Sequence, residues 1–356
     1  MKSVVSSIKK YLFGLSVLIT VSFCLSLMFT SSSEAAECAR SGTSITIDSS
    51  ASGDAKIVDG DDGAGHSQRN CIEEPLFYKI SFYSVLLCTT DPYVSNDDPD
   101  LTGCTGKILE NSPSLASSIN IRPNLYVDLI TESFELPIGS YPYAAILVDN
   151  HIGIKHKETY INKDTSGAQT MIGKTGSGST CWTVSGGATT YTNTAAGTHT
   201  SGIHPSGLAF TAPDNGTRST LTLDCGSATD GTYGYAWEII DSIDDTCDAS
   251  EDCHTTFNAY TDYDNADDLG VGGLAAMTLL QSDGTTMGTN RGNSRKIGYF
   301  INFTNPLNVS EDVVGLRLLF STNKSVSVDH SKDGTDVYAS KVGADPFGIK
   351  FVLVKK

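Results

Sequence analysis

Apolar and polar side chains alternate with period two along much of this chain, and runs with helical spacing are few. The strongest case is LFYKISFYSVLLC at 76–88. There Phe77, Lys79, Ser81, Tyr83 and Val85 alternate with Tyr78, Ile80, Phe82, Ser84 and Leu86. Aromatic and β-branched residues in that rhythm suit a pleated strand. The same reading predicts strands at 124–130, 141–149, 152–161, 208–212, 219–225, 233–240, 296–304, 314–321 and 347–354. In the last of these, Phe347, Ile349, Phe351 and Leu353 fall on one face and Gly348, Lys350, Val352 and Val354 on the other, so it reads as a final strand rather than a tail. LGVGGLAAMTLLQ at 269–281 reads equally as a strand or a short helix. TCWTVSGGATTYTN predicts a hairpin with Gly186-Gly187 as its two-residue turn.

Leu136-Pro137-x-Gly139-x-Tyr141 reads as a turn that opens a strand, with proline fixing the backbone and glycine permitting positive φ. This stretch, about 25 residues with its following strand, resembles the late hairpin of prealbumin-like (transthyretin-like) β-sandwich domains of bacterial surface proteins. The resemblance implies an Ig-like or prealbumin-like sandwich in a cell-surface protein. In adhesin repeats of that kind a Lys, a Glu and an Asn can form an internal isopeptide bond. Lys79 lies on an early strand, but YPYAAILVDN holds no glutamate to match, so the bond is not carried over.

The 356 residues allow two ordinary domains or one large β domain. With 39 % hydrophobic and 18 % charged residues, and few long apolar runs, a core made of many short strands is expected. The organisation predicted is all-β: an export signal at 1–36, an antiparallel β-sandwich domain at 37–162, and a second at 163–356. The second opens on a Gly/Ser/Thr-rich stretch and contains an acidic loop at 241–268. Lys2, Lys9 and Lys10 precede the apolar run Leu12–Phe29, and Ser33-Glu34-Ala35 is a small-x-small processing site. The run is long enough to serve as an uncleaved anchor instead. No span is expected in the mature chain.

Outside that segment stand Cys38, Cys71, Cys88, Cys104, Cys181, Cys225, Cys247 and Cys253. An even set in an exported chain predicts disulfides, and eight cysteines allow 105 pairings. Pairing sequence neighbours (38–71, 88–104, 181–225, 247–253) is the simplest arrangement. The formal charge is −17, and loss of residues 1–36 removes three lysines and one glutamate, leaving −19. Such a surface disfavours nucleic acid and suits cations.

Candidate chemistry is sparse. QTMIGKTGSGST at 169–180 carries Gly173-Lys174-Thr175, but a phosphate loop needs a glycine at 168, which is alanine, and a helix afterwards. No nucleotide is expected. No Gly-x-Ser-x-Gly elbow and no His-Glu-x-x-His pair occurs among the seven histidines, so no catalytic residue is assigned. Residues 241–268 hold ten carboxylates without a Lys or Arg, which makes Asp262, Asp264, Asp267 and Asp268 a candidate Ca²⁺ set, the one candidate cofactor. Exposed aromatics stack on sugars, and the candidates are Trp182, Tyr191, Tyr233, Tyr235 and Trp237. The last three share a face of YGYAWEII by alternation. The leading expectation is a secreted or cell-surface, non-catalytic structural or adhesive protein whose partners are itself, other surface proteins or glycans. A carbohydrate-binding module comes second and an extracellular hydrolase third.

Overall fold

Strand alternation becomes one-sided burial at Phe77–Cys88, where Tyr78, Ile80 and Phe82 are buried and Phe77, Lys79, Ser81 and Tyr83 are half-exposed. The structure is a computed structural model. It describes residues 37–48, 57–58, 67–68, 70–94, 97–110, 117–122, 126–127, 136–165, 167–184, 186–187, 218, 221–227, 233–240, 273–288, 293–322, 325–333, 336–344 and 348–356. Among these every regular element is a β-strand. The fold is all-β, as the sequence pattern predicts, and the described strands form four sheets.

Phe77–Cys88 is the hub of a nine-stranded sheet. It pairs antiparallel with Gly139–Asp149, His151–Lys155, Gly106–Glu110 and Ser117–Ile121. Gly139–Asp149 pairs in turn with Lys296–Val309, which pairs with Gly273–Leu280. His151–Lys155 pairs with Ala236–Ile239. Lys157–Asn162 belongs to a seven-stranded sheet, between Thr180–Thr183 and a parallel neighbour, Ser44–Ile47. Asn70–Glu73, Val326–Asp333 and Asp336–Ala344 are consecutive strands of a five-stranded sheet, with Asn70–Glu73 at its edge. Tyr126–Val127, Val313–Ser321 and Gly348–Lys355 form a three-stranded one.

One core joins the sheets. Phe82 of the nine-stranded sheet meets Phe320 of the three-stranded sheet edge-on, with ring centroids 5.8 Å apart, and Phe303 meets Phe351 at 5.5 Å. Tyr78 donates its hydroxyl to the Ser325 carbonyl. Face-to-face stacking of this kind is the packing of a β-sandwich. A smaller cluster of Leu86, Cys88, Cys104, Ala145 and Phe300 is covered by the 89–103 loop, whose Tyr93 ring sits 5.8 Å from Phe300.

Three of the expected disulfides are present: Cys38–Cys71, Cys88–Cys104 and Cys181–Cys225. Cys247 and Cys253 lie outside the described residues, as do residues 1–36. Several local expectations are amended. Within 269–281, Gly273–Leu280 is a strand and residues 269–272 lie outside the described residues. The predicted strand at 152–161 is two strands from different sheets, separated at His156. Gly186-Gly187 is not a hairpin turn: it runs parallel to Ala236-Trp237 as an edge strand, and Thr180–Thr183 pairs with Leu223–Gly226 instead. The hairpin Val326–Asp333/Asp336–Ala344 stands where no strand was expected.

The boundary expected at 162/163 is crossed repeatedly. Gly139–Asp149 matches Lys296–Val309 over ten partner pairs, and Asn70–Glu73 joins Val326–Asp333. Contacts divide the chain at Ala35/Ala36 and leave Ala36–Lys356 as one compact unit. Alternation reveals a strand but not its partner, which is why the local pattern did not show this.

Candidate functional site

The outward positions of the nine-stranded sheet gather the aromatic residues of YGYAWEII. Alternation turns Ala236 and Glu238 inward, where Glu238 accepts the Ala344 amide, and leaves Tyr233, Tyr235 and Trp237 half-exposed. Tyr235 and Trp237 ring centroids lie 5.9 Å apart. The register sets their neighbours. Trp237 is opposite Gly153, and Gly153 is opposite Lys79, which is opposite Asn120. One step along, Lys155 is opposite Phe77.

Gly153 makes room for the indole. A Cβ there would stand 3.0 Å from Trp237 Cζ3 and 3.1 Å from Cη2, so the six-membered ring lies across the glycine. An aromatic laid over a glycine of the adjacent strand is a known stabiliser of sheets. His151 flanks the indole at 4.6 Å, tilted by 34°. Lys79 Nζ lies 5.6 Å from the Trp237 ring and 5.7 Å from Tyr235, Lys155 Nζ lies 4.6 Å from Tyr235, and Lys157 Nζ lies 5.4 Å from Tyr233. Arg122 stands 4.5 Å over Phe77. Tyr235 donates to Asn120 Oδ1 at 2.9 Å; burial raises its hydroxyl pKa and Arg122 offsets part of the rise. Rings and cations are thus interleaved on one face. Trp182 is not part of it: it is buried in Thr180–Thr183 of another sheet. Tyr191 lies outside the described residues.

The Gly-Lys-Thr loop holds an anion of its own. Asp224 Oδ1 accepts the amides of Thr175 and Gly176, each at 2.8 Å, and Thr175 Oγ1 donates to Oδ2. Arg218 closes the loop by donating to the Gly173 and Gly176 carbonyls. A Cβ on Gly173 would come within 2.3 Å of the Cys225 amide nitrogen, so the glycine serves close packing against Leu223–Gly226. These donors hold the Asp224 carboxyl below its ordinary pKa despite partial burial.

A second ionisable cluster, which the sequence pattern did not show, runs from the exposed Arg40 into the core. Arg40 donates to Glu73, and to Glu158 at 2.8 Å. His156 Nε2 is 3.2 Å from Glu158 Oε1. Burial raises Glu158, but His156 and Arg40 outweigh it and hold the carboxyl low, whereas Glu73 is raised by its burial. Beside them the buried Tyr160 ring meets His330 edge-on at 5.2 Å, and burial pushes the His330 imidazole down to about 3. The spacing of His156, Glu158 and Tyr160 on one strand face was legible; the arrival of Arg40, Glu73 and His330 from distant strands was not. His156 and His330 are 1 % and 3 % exposed, so neither imidazole reaches a surface ligand, whereas Arg40 is exposed.

Among the described residues no cluster of three or more His, Cys, Asp or Glu is arranged to hold a metal. Asp262, Asp264, Asp267 and Asp268 lie outside them, as do His66, His199, His204 and His254. No described helix is long and apolar enough to cross a membrane. No protein-family model, curated protein or solved structure matches the chain.

Proposed function

We propose that the chain is an exported, non-catalytic surface protein of adhesive type, and that it holds glycans on the Trp237 face. The observation that carries this is the indole lying across Gly153 with Tyr235 beside it on a half-exposed sheet surface. Flat aromatic surfaces of this kind pack against the C–H faces of sugar rings, and a rigid ring loses little entropy on binding. The three disulfides and the all-β fold are compatible with an extracellular setting. The buried histidines support the non-catalytic reading, because they face carboxylates and rings inside the core.

The test is binding to a panel of immobilised oligosaccharides, followed by titration of each hit against intrinsic tryptophan fluorescence. Trp237→Ala should weaken binding by about tenfold or more, the loss expected when ~1.4 kcal/mol of stacking is removed. Its melting temperature should fall, because the ring also covers Gly153, so binding is compared at a temperature where the variant is fully folded. A panel with no hit, or hits indifferent to this substitution, would overturn the proposal.

A further inference from the structure

The geometry points to an acidic oligosaccharide, bearing carboxylate or sulfate groups, as the ligand of the Trp237 face. This rests on the glycan reading above and adds the ligand's charge. Lys79 and Lys155 are diagonal neighbours on adjacent strands, and both ammonium groups stand against the Tyr235 ring, at 5.7 and 4.6 Å. Among the described residues their charges rest on rings and not on carboxylates. Arg122, exposed, adds a third positive group over Phe77.

That arrangement runs against the rest of the molecule. The chain carries 41 acidic and 24 basic residues, yet the aromatic face is flanked by lysine and arginine. Charge of the opposite sign gathered around one ring platform selects a ligand by complementarity. The overall negative charge does not forbid it, because exposed charges beyond ~10 Å are largely screened at 0.1 M salt. A sugar ring that carries an acidic group meets both features at once: its C–H face covers the indole while its anion reaches an ammonium or guanidinium group. A cation held over a ring keeps its charge and its outward N–H donors, so the ring contact positions it without neutralising it.

The experiment titrates the full chain, at low and high salt, with four probes of matched length. These are an oligogalacturonate, a heparin-derived oligosaccharide, a neutral cello-oligosaccharide and poly-aspartate. An acidic oligosaccharide should bind about tenfold tighter than the neutral one at low salt, with the gap shrinking as salt rises. Both acidic probes carry carboxylates and only the heparin-derived one carries sulfate, so a preference for it points to sulfate and the reverse preference to carboxylate, and either supports the inference. In Lys79→Gln/Lys155→Gln the acidic-to-neutral ratio should fall toward one, and Arg122→Gln should lower it in part. Equal binding of neutral and acidic sugars would overturn the acidic preference and leave the glycan platform standing. Poly-aspartate binding as tightly as the sugars would overturn the preference, since stacking would then add nothing. If no saccharide binds, both readings fall together.

Discussion

Asp224 shows how a single side chain can satisfy a motif-like loop from within the chain. Its carboxylate takes the amides of Thr175 and Gly176 and the Thr175 hydroxyl, which are the donors a phosphate would need. Asp224→Ala should therefore cost about 1–3 kcal/mol, because charge-assisted bonds are lost and loop amides are left to water. Lys174→Ala should leave the denaturation midpoint unchanged, and ATP should not shift the melting temperature of either form. A nucleotide-dependent shift that vanishes in Lys174→Ala would defeat this assignment. A second residue-scale expectation concerns His330, whose folded pKa of about 3 lies below its ordinary 6.5. Between those values the unfolded chain binds a proton that the folded chain refuses. Stability present above pH 6.5 is thus lost as pH falls toward 3, at about 1.4 kcal/mol per pH unit. Glu158, also held low, acts in the same direction below its ordinary 4.5, while Glu73 and Asp149, both raised by burial, oppose it. Urea denaturation of His330→Phe at pH 7 and pH 5 isolates the histidine: the substitution should flatten the pH slope. An unchanged slope would mean that His330 does not titrate in this way.

At the scale of elements, the final strand decides how the three-stranded sheet closes. Gly348–Lys355 pairs with Val313–Ser321 from Gly348↔Ser321 to Lys355↔Val313 and buries Ile349 and Phe351 in the common core. At about 1.5–3 kcal/mol per buried side chain, these two alone approach the 5–15 kcal/mol margin of a typical protein. Deleting residues 348–356 should yield insoluble protein, or protein whose thermal transition is abolished; a soluble truncation with the original melting temperature would refute the internal role. The alternation of this strand was legible in the sequence, as was that of Phe77–Cys88. The neighbouring hairpin Val326–Asp333/Asp336–Ala344 was not read, although Asp333-Gly334 between two alternating runs is a turn signal. Gly186-Gly187 gave the opposite error. A glycine pair marks a turn only when the strands beside it face each other, and here Thr180–Thr183 faces Leu223–Gly226. The candidate site divides in the same manner. The shared face of Tyr233, Tyr235 and Trp237 follows from period two, but Lys79, Lys155 and Gly153 join it through cross-strand register, which no local pattern encodes.

For the molecule as a whole, the decisive fact is that sequence-distant strands share sheets. The hub strand Phe77–Cys88 and its neighbour Gly139–Asp149 come from the first half, while Lys296–Val309 and Gly273–Leu280 complete the same sheet from the second. Length argues the other way, since single cores seldom grow past ~250–300 residues. Here several sheets around one core accommodate Ala36–Lys356 as one unit, with Cys181–Cys225 fastening strand to strand and Cys88–Cys104 a loop to its sheet. The consequence is cooperativity. A fragment 37–162 would expose the edge of Gly139–Asp149 that Lys296–Val309 covers, together with Tyr78, Ile80 and Phe82 from the core face. Unpaired edges and bare apolar faces drive aggregation, so the fragment should not fold alone. The intact chain 37–356 should unfold in one calorimetric transition, with matching calorimetric and van't Hoff enthalpies. Two separated transitions, or a soluble 37–162 fragment with a dispersed NMR spectrum, would show that the halves are independent after all and that the shared sheets are not what holds the molecule together.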